Sequence, residues 1–353
     1  MNPIKTRVLE INPYDLDQDI LRIAAETILS GALVAFPTET VYGLGANALD
    51  EAAVARIFIA KKRPANDPVI LHIADLAQLA DIAQDIPDHA YELMDIFWPG
   101  PLTLILKKHP NIPLNVTSGG DTIAVRMPSH PLALALIKQA AVPIGAPSAN
   151  LFSHPSPTTA QHVLKDLDGR IDLILDGGST DIGLESTILD LSTPIPRILR
   201  PGGISMETIA AFLPDLSFEP KYLQEGERIE APGNFTKHYS PHAPITVYEG
   251  VQHQQVIAKI LTDAQAATQI GQHVGILLMD CDKEAFDGVD ISIALMGRSL
   301  EDMAHKLFAA FRQFDAQNVD QIFVAAPPKT GIGLAIWDRL VRASEGNIQH
   351  ITT

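Results

Sequence analysis

The chain has 353 residues, 46% apolar and 19% charged, with 26 Lys and Arg against 42 Asp and Glu. At roughly 150 residues per domain that length suggests two domains, and the apolar share supplies a substantial core with no signature of disorder. A formal charge of -16 opposes a protein that coats nucleic acid non-specifically, yet it leaves room for a site that holds one nucleotide with a few bases.

In chain order, residues 15–30 repeat apolar side chains at helical spacing and stop at Gly31, which suits a left-handed residue past a helix end. A short apolar strand over 32–36 ends at Pro37. The alternation continues with a helix at 50–61, a strand at 69–73, helices at 75–83 and 88–97, and strands at 102–106 and 122–127. A helix at 131–140, a strand near 143–146, a helix at 158–167 and strands at 171–175, 186–191 and 196–199 follow. Helices and strands in this order, with some strands adjacent, imply an α/β domain over 1–214 with a twisted mixed parallel and antiparallel sheet. The pattern fades over 215–244, which is polar, proline-punctuated and read as an interdomain linker. Residues 245–353 resume β-α-β alternation, with strands at 245–248, 274–279, 291–295 and 321–325 and helices at 252–267, 299–315 and 331–343. That suggests a small Rossmann-like or flavodoxin-like domain, without a GxGxxG opening. Both parts are acidic, so neither is a basic RNA-binding module.

Only Cys281 is present, so no intramolecular disulfide or CxxC metal knuckle is possible. The start, MNPIKTRVLEINPYDLDQD, lacks a continuous apolar run, and no apolar stretch of about 18 residues occurs. Neither a secretory leader nor a membrane span is expected, and a reducing cytoplasm is the natural location. The 12 histidines are scattered without HExxH, and Pro241 between His238 and His242 argues against one helical face. No protein metal site, GxSxG elbow or Walker A loop is read.

Three segments concentrate chemistry. FPTETVYGLG, from Phe36 to Gly45, reads either as a capped strand-to-helix connection or as a turn whose glycines admit a ligand while Thr38, Thr40 and Tyr42 supply hydrogen bonds. In AKKRPANDPVILH, Lys61, Lys62 and Arg63 close a helix, where cations suit its negative end. Followed by a proline-rich turn and His72, they also suit polyphosphate. GAPSAN delivers Ser148 and Asn150 into a loop with Ser153, Ser156 and Thr158, fitting either a binding loop on a rigid scaffold or a turn with Ser156 or Thr158 as helix cap. Arg126 and Arg200 end strands beside Gly/Pro turns, placed to grip phosphate or carboxylate.

The series PTETVYGLG, KKRP with PVILHI, TIAVRMP, GAPSAN, SPTTA, ESTILD and ILRPGG, in that order, resembles the Sua5/YrdC/YciO family. The resemblance covers about 15–213 and continues through PGNFTKHYSPHAP to GIGLAIWDRLVRAS, the long two-domain Sua5 form. It implies a concave catalytic domain that forms threonylcarbamoyl-adenylate and pyrophosphate from L-threonine, bicarbonate and ATP, with Mg2+ carried on the ATP phosphates. Partner proteins then use the intermediate to modify adenosine 37 of ANN-decoding tRNAs. By the same resemblance, Lys61, Arg63, Ser148 and Asn150 are the catalytic set. Thr40, His72, Arg126, Ala146 (through its backbone) and Ser186 would frame threonine. Arg63, Asp67, Thr122, Ser148, Ser156 and Arg200 would take the nucleotide, with His238 and Tyr239 of the linker facing the site as part of a lid. Many relatives read DNP where this chain has Asn66-Asp67-Pro68, so either Asn66 or Asp67 faces the nucleotide. The runner-up reading is a double-stranded RNA-binding module of the same fold, which the acidic charge lowers.

Overall fold

The computed structural model describes residues 4–218 and 238–352. The described residues divide into two compact units, 4–152 with 156–218, and 153–155 with 238–352. Residues 219–237, most of the expected linker, lie outside the described residues, as do Asn234 and Lys237.

The first unit runs β1 (Arg7–Glu10), α1 (Gln18–Leu29), β2 (Val34–Pro37), β3 (Tyr42–Asn47), α2 (Glu51–Lys61), β4 (Ile70–His72), α3 (Leu79–Ile82), β5 (Ala83–Gln84), α4 (Asp88–Phe97) and β6 (Leu102–Lys108). It continues with β7 (Thr122–Arg126), α5 (Pro131–Ala140), β8 (Ile144–Gly145), α6 (Ala160–Leu167), β9 (Leu173–Asp176), β10 (Thr187–Asp190), β11 (Arg197–Arg200), α7 (Met206–Ala210) and β12 (Ser217–Phe218). Local chemistry fixes the helix ends. The carboxylates of Asp17 and Asp50 accept first-turn N–H groups of α1 and α2, and Gly31 takes the left-handed φ of 78° past α1. The cap of α6 is Thr159, whose hydroxyl accepts from the His162 N–H, and not Ser156 or Thr158.

Twelve strands form one mixed sheet, ordered β1-β9-β2-β3-β8-β4-β7-β6-β10-β11-β12 with β5 beside β6. The sequence reading does not include β1, β5, α7 or β12, and it takes one further strand for a turn. Tyr42–Asn47, expected as a glycine-rich turn, pairs antiparallel with β2. Glycine weakens strand propensity, but here the missing side chain is what the packing requires. A Cβ on Gly45 would lie 2.8 Å from both the Phe36 ring and Ile144.

Side chains alternate across a strand, and in the half-sheet β4-β7-β6-β10-β11 the two faces differ sharply. One carries Leu71, Leu104, Leu106, Ile123, Val125, Leu189 and Ile198 into a core shared with α2 and α4. The other holds only Ile70, Ile105, Ala124 and Ile188, with Leu199 against them. The residues two positions from those, among them His72, Thr103, Arg126 and Ser186, therefore share the weakly apolar face.

The second unit consists of β13 (Ile245–Gly250), α8 (His253–Gln269), β14 (Val274–Leu278), a 3-10 stretch (Asp280–Phe286), β15 (Ser292–Leu295), α9 (Leu300–Gln317), β16 (Gln321–Ala325), α10 (Ile332–Ala343) and β17 (Ile348–Ile351). Its five strands are all parallel, ordered β15-β14-β16-β13-β17. The layered α/β expectation holds. The short, partly polar β17, bordered only by β13, carried too little periodicity to be read.

Candidate active site

The β2–β3 connection places Thr38, Glu39 and Thr40, all buried, beside the end of β7. Arg126 Nη1 donates to Thr40 Oγ1 at 3.0 Å, Nε donates to the Gly100 carbonyl at 3.2 Å, and Nη2 lies 2.6 Å from Glu39 Oε1. The Thr38 hydroxyl donates to the Val41 carbonyl, so the Thr40 hydroxyl is the donor in the 2.8 Å pair between the two threonines. This sets a directed chain from the guanidinium to the main chain. In the sequence Glu39 is simply the one carboxylate of FPTETVYGLG. Its role as partner of Arg126 depends on a contact 87 positions away, which no local pattern carries.

His72 neighbours Arg126 in register and sits edge-on to Phe36 at 6.3 Å. Burial first, and then the charge of Arg126, push its pKa down to about 3, so the imidazole is neutral near pH 7. His130, at the start of α5, is also held below its ordinary range by burial. At the start of β10, Ser186 Oγ lies 2.7 Å from Thr103 Oγ1, and its carbonyl accepts from Arg200 Nη2 at 3.0 Å. The Ala146 N–H donates to the Ile70 carbonyl, so a ligand contact there would use the Ala146 carbonyl.

The basic triplet divides. Lys62 is exposed, whereas Lys61 and Arg63 are buried, which corrects any reading of the run as a solvated helix end. Lys61 Nζ donates to the carbonyls of Ser148 and Asn150, the latter at 2.6 Å, and so fixes the GAPSAN loop. Arg63 Nη2 donates to the Pro68 carbonyl at 2.7 Å and lies 2.9 Å from Asp67 Oδ1. Burial lifts the Asp67 carboxyl above its usual range, against the pull of Arg63, Lys61 and Arg200, all near enough to act on it. Ser156 donates to Glu185.

Thr122 opens β7, four residues or about 13 Å from Arg126, and lines a groove of about 320 Å³ with Asn66 and Arg197. Asn66 is exposed to that groove and Asp67 is not, which separates the two candidates. The Tyr42 hydroxyl donates to the Gly178 carbonyl at 2.6 Å, so it serves the fold and not a ligand. His238 and Tyr239 belong to the second unit. There the Tyr239 ring stacks on Phe308 at 5.4 Å with the Arg339 guanidinium 5.1 Å from its centroid.

A sheet face that gathers buried guanidinium groups beside hydroxyls and a neutral imidazole has the chemistry that suits small, multiply charged anions. The Sua5/YciO/YrdC family model, described as telomere recombination, matches residues 26–202, and the C-terminal domain model of threonylcarbamoyl-AMP synthase matches 204–345. The chain is 45% identical to the threonylcarbamoyl-AMP synthase of Pyrococcus abyssi, across 92% of this chain and 94% of that protein. It is 44% identical to the Bacillus subtilis enzyme of the same name, across 92% and 93%. The crystal structure of P. abyssi Sua5 complexed with L-threonine superposes with a TM-score of 0.93 at 42% identity, across 98% of this chain and all of that one. The chain belongs to the Sua5/YciO/YrdC family, in its two-domain form.

Proposed function

We propose that this chain is a threonylcarbamoyl-AMP synthase. The observation that carries the reading is the convergence of Arg126, His72, Thr40 and Ser186 on one weakly apolar sheet face, with Lys61, Arg63 and Arg200 near one buried carboxylate. The threonine amine and bicarbonate give a carbamate with loss of water, and a carbamate oxygen then attacks the α-phosphorus of ATP. The bond from that phosphorus to the β-phosphate bridge breaks, and pyrophosphate leaves with the electron pair. Both reactants are anions, so fixed cations lower the barrier as charge accumulates.

In this proposal Arg126 takes the threonine carboxylate, Thr40 and Ser186 hold its polar groups, and neutral His72 donates a hydrogen bond without adding charge. Lys61 holds Ser148 and Asn150 in place while Arg63 and Arg200 face the phosphates. Asn66 replaces Asp67 as the residue open to the nucleotide. No side chain is needed as a nucleophile; positioning and exclusion of water from a labile mixed anhydride suffice. Among the described residues no cluster of three His, Cys, Asp or Glu side chains could hold a metal ion, so Mg2+ enters the proposal bound to the ATP phosphates. The product would feed tRNA threonylcarbamoylation by partner proteins in the cytoplasm. No helix of the described residues is long and apolar enough to cross a membrane. The RNA-binding alternative is not favoured, since the family matches are to synthases and the chain carries -16.

The test is incubation with ATP, bicarbonate and labelled threonine, followed by rapid nucleotide separation. The expected result is a labelled adenylate and pyrophosphate, both absent when either threonine or bicarbonate is omitted. Pyrophosphate release indifferent to either omission would overturn the reading.

A further inference from the structure

The C-terminal unit contains a second crevice, separate from the site above. After β14 the chain moves outward to β15, and after β16 it moves by way of α10 to β17 at the other edge. Successive connections therefore diverge between the neighbours β14 and β16, and in open α/β sheets ligands bind at such a parting, outside the carboxyl ends of the strands. A cavity of about 210 Å³ opens at this point, between residues 277–279 at the carboxyl end of β14 and 325–328 at that of β16. Its wall is mainly apolar and includes Met279, Met296 and Met303, flexible side chains that adapt to an occupant. Drug-sized pockets run to roughly 300–1,000 Å³, so this hollow suits one apolar side chain.

A second hollow, of about 430 Å³, shares the wall formed by 325–328 and His253. Its rim bears Glu249 and Lys329, and the imidazole of His350 lies 3.3 Å from the second Glu249 oxygen. Lys329 Nζ lies 2.6 Å from Glu249 Oε1 and 3.9 Å from the centroid of the Trp337 ring. Both partners are partly exposed, so parting them is inexpensive. A polyanion such as a nucleotide would meet Glu249 here and Asp282 in the first hollow.

We propose that this crevice binds a free α-amino acid with an apolar side chain. The side chain enters the methionine-lined hollow, the ammonium group sits on Glu249 and the carboxylate on Lys329, so that one exposed ion pair is exchanged for two.

Titration of the full-length protein with L-leucine and L-methionine, read by tryptophan emission, tests this, because a carboxylate that draws Lys329 away changes the surroundings of Trp337. A saturable change is expected. It should vanish in Trp337→Phe and require about tenfold more ligand in Glu249→Gln and in Lys329→Met, with Ala326→Leu, which fills the hollow, as a further check. 4-Methylpentanoic acid and isoamylamine, each lacking one charge, should bind at least about tenfold more weakly than leucine. Equal binding of either, a response to AMP in place of the amino acids, or no saturable change would overturn the proposal.

Discussion

In the N-terminal unit one buried ion pair joins Arg126 on β7 to Glu39 in the β2–β3 connection and a second joins Arg63 to Asp67, whereas in the C-terminal unit Asp338, Arg339 and Arg342 lie within about one turn of α10. The second cluster draws its charges from one helix, with the Arg339 guanidinium also 5.1 Å from the centroid of the Tyr239 ring. Burial would raise the Asp338 pKa, but Arg342 and Arg339 overcome it and hold the carboxyl below its usual range. In the first unit the cations are spread along an open sheet face, and at Asp67 burial wins over three of them. Charges gathered within one helix serve packing. Charges brought together from distant elements, on a face with little apolar cover, are the ones the proposed function assigns to a ligand.

The largest effects separate these two uses. Breaking a buried pair from one side typically costs about 3–5 kcal/mol. Asp338→Asn should lower stability by that order in thermal unfolding, yet leave pyrophosphate release per folded molecule near wild type. Arg126→Met should cost similar stability and also slow release about a hundredfold or more. Equal loss of turnover per folded molecule in both variants would erase the contrast.

Lys61→Ala comes next. It removes two hydrogen bonds to loop carbonyls from a buried ammonium, so stability should fall by about 1.5–3 kcal/mol per charged bond lost. Turnover should fall as well, because the Ser148–Asn150 loop loses its tether. Lost turnover with unchanged thermal stability would place Lys61 on the phosphate alone.

These two contrasts also mark what the sequence could reveal. The ordered motifs pointed to the face with Lys61, Arg63, His72, Arg126 and Ser186, because strand-end residues beside Gly/Pro turns repeat along the chain. The partner of Arg126 and the burial of Lys61 were not legible, since both depend on packing across many residues of sequence. Strand β3 was hidden for a different reason. Its glycines answer to the Phe36 ring and Ile144, and propensity cannot see a neighbour in space.

A pH measurement sharpens the first region further. His72 titrates near 6.5 when unfolded and at about 3 when folded. Between those values the unfolded chain binds the extra proton, so stability is lost as pH falls. From pH 7 to 5 the loss from this residue is about 2 kcal/mol, and His72→Gln should flatten the curve by that amount. An unchanged slope would show that the imidazole is not buried neutral. The smallest effect is expected of Lys62→Ala, next to two buried cations but itself exposed. Stability should move by no more than about 0.5 kcal/mol, and turnover should not change.

The claim that the Arg126–Glu39 pair serves the reaction is tested most directly by combining Arg126→Met with Glu39→Gln. The double variant leaves no unpaired buried charge, so its Tm should recover most of what Arg126→Met loses. Threonine-dependent pyrophosphate release should nevertheless stay about a hundredfold or more below wild type. Recovery of both stability and release would contradict the account and reduce the pair to a packing device.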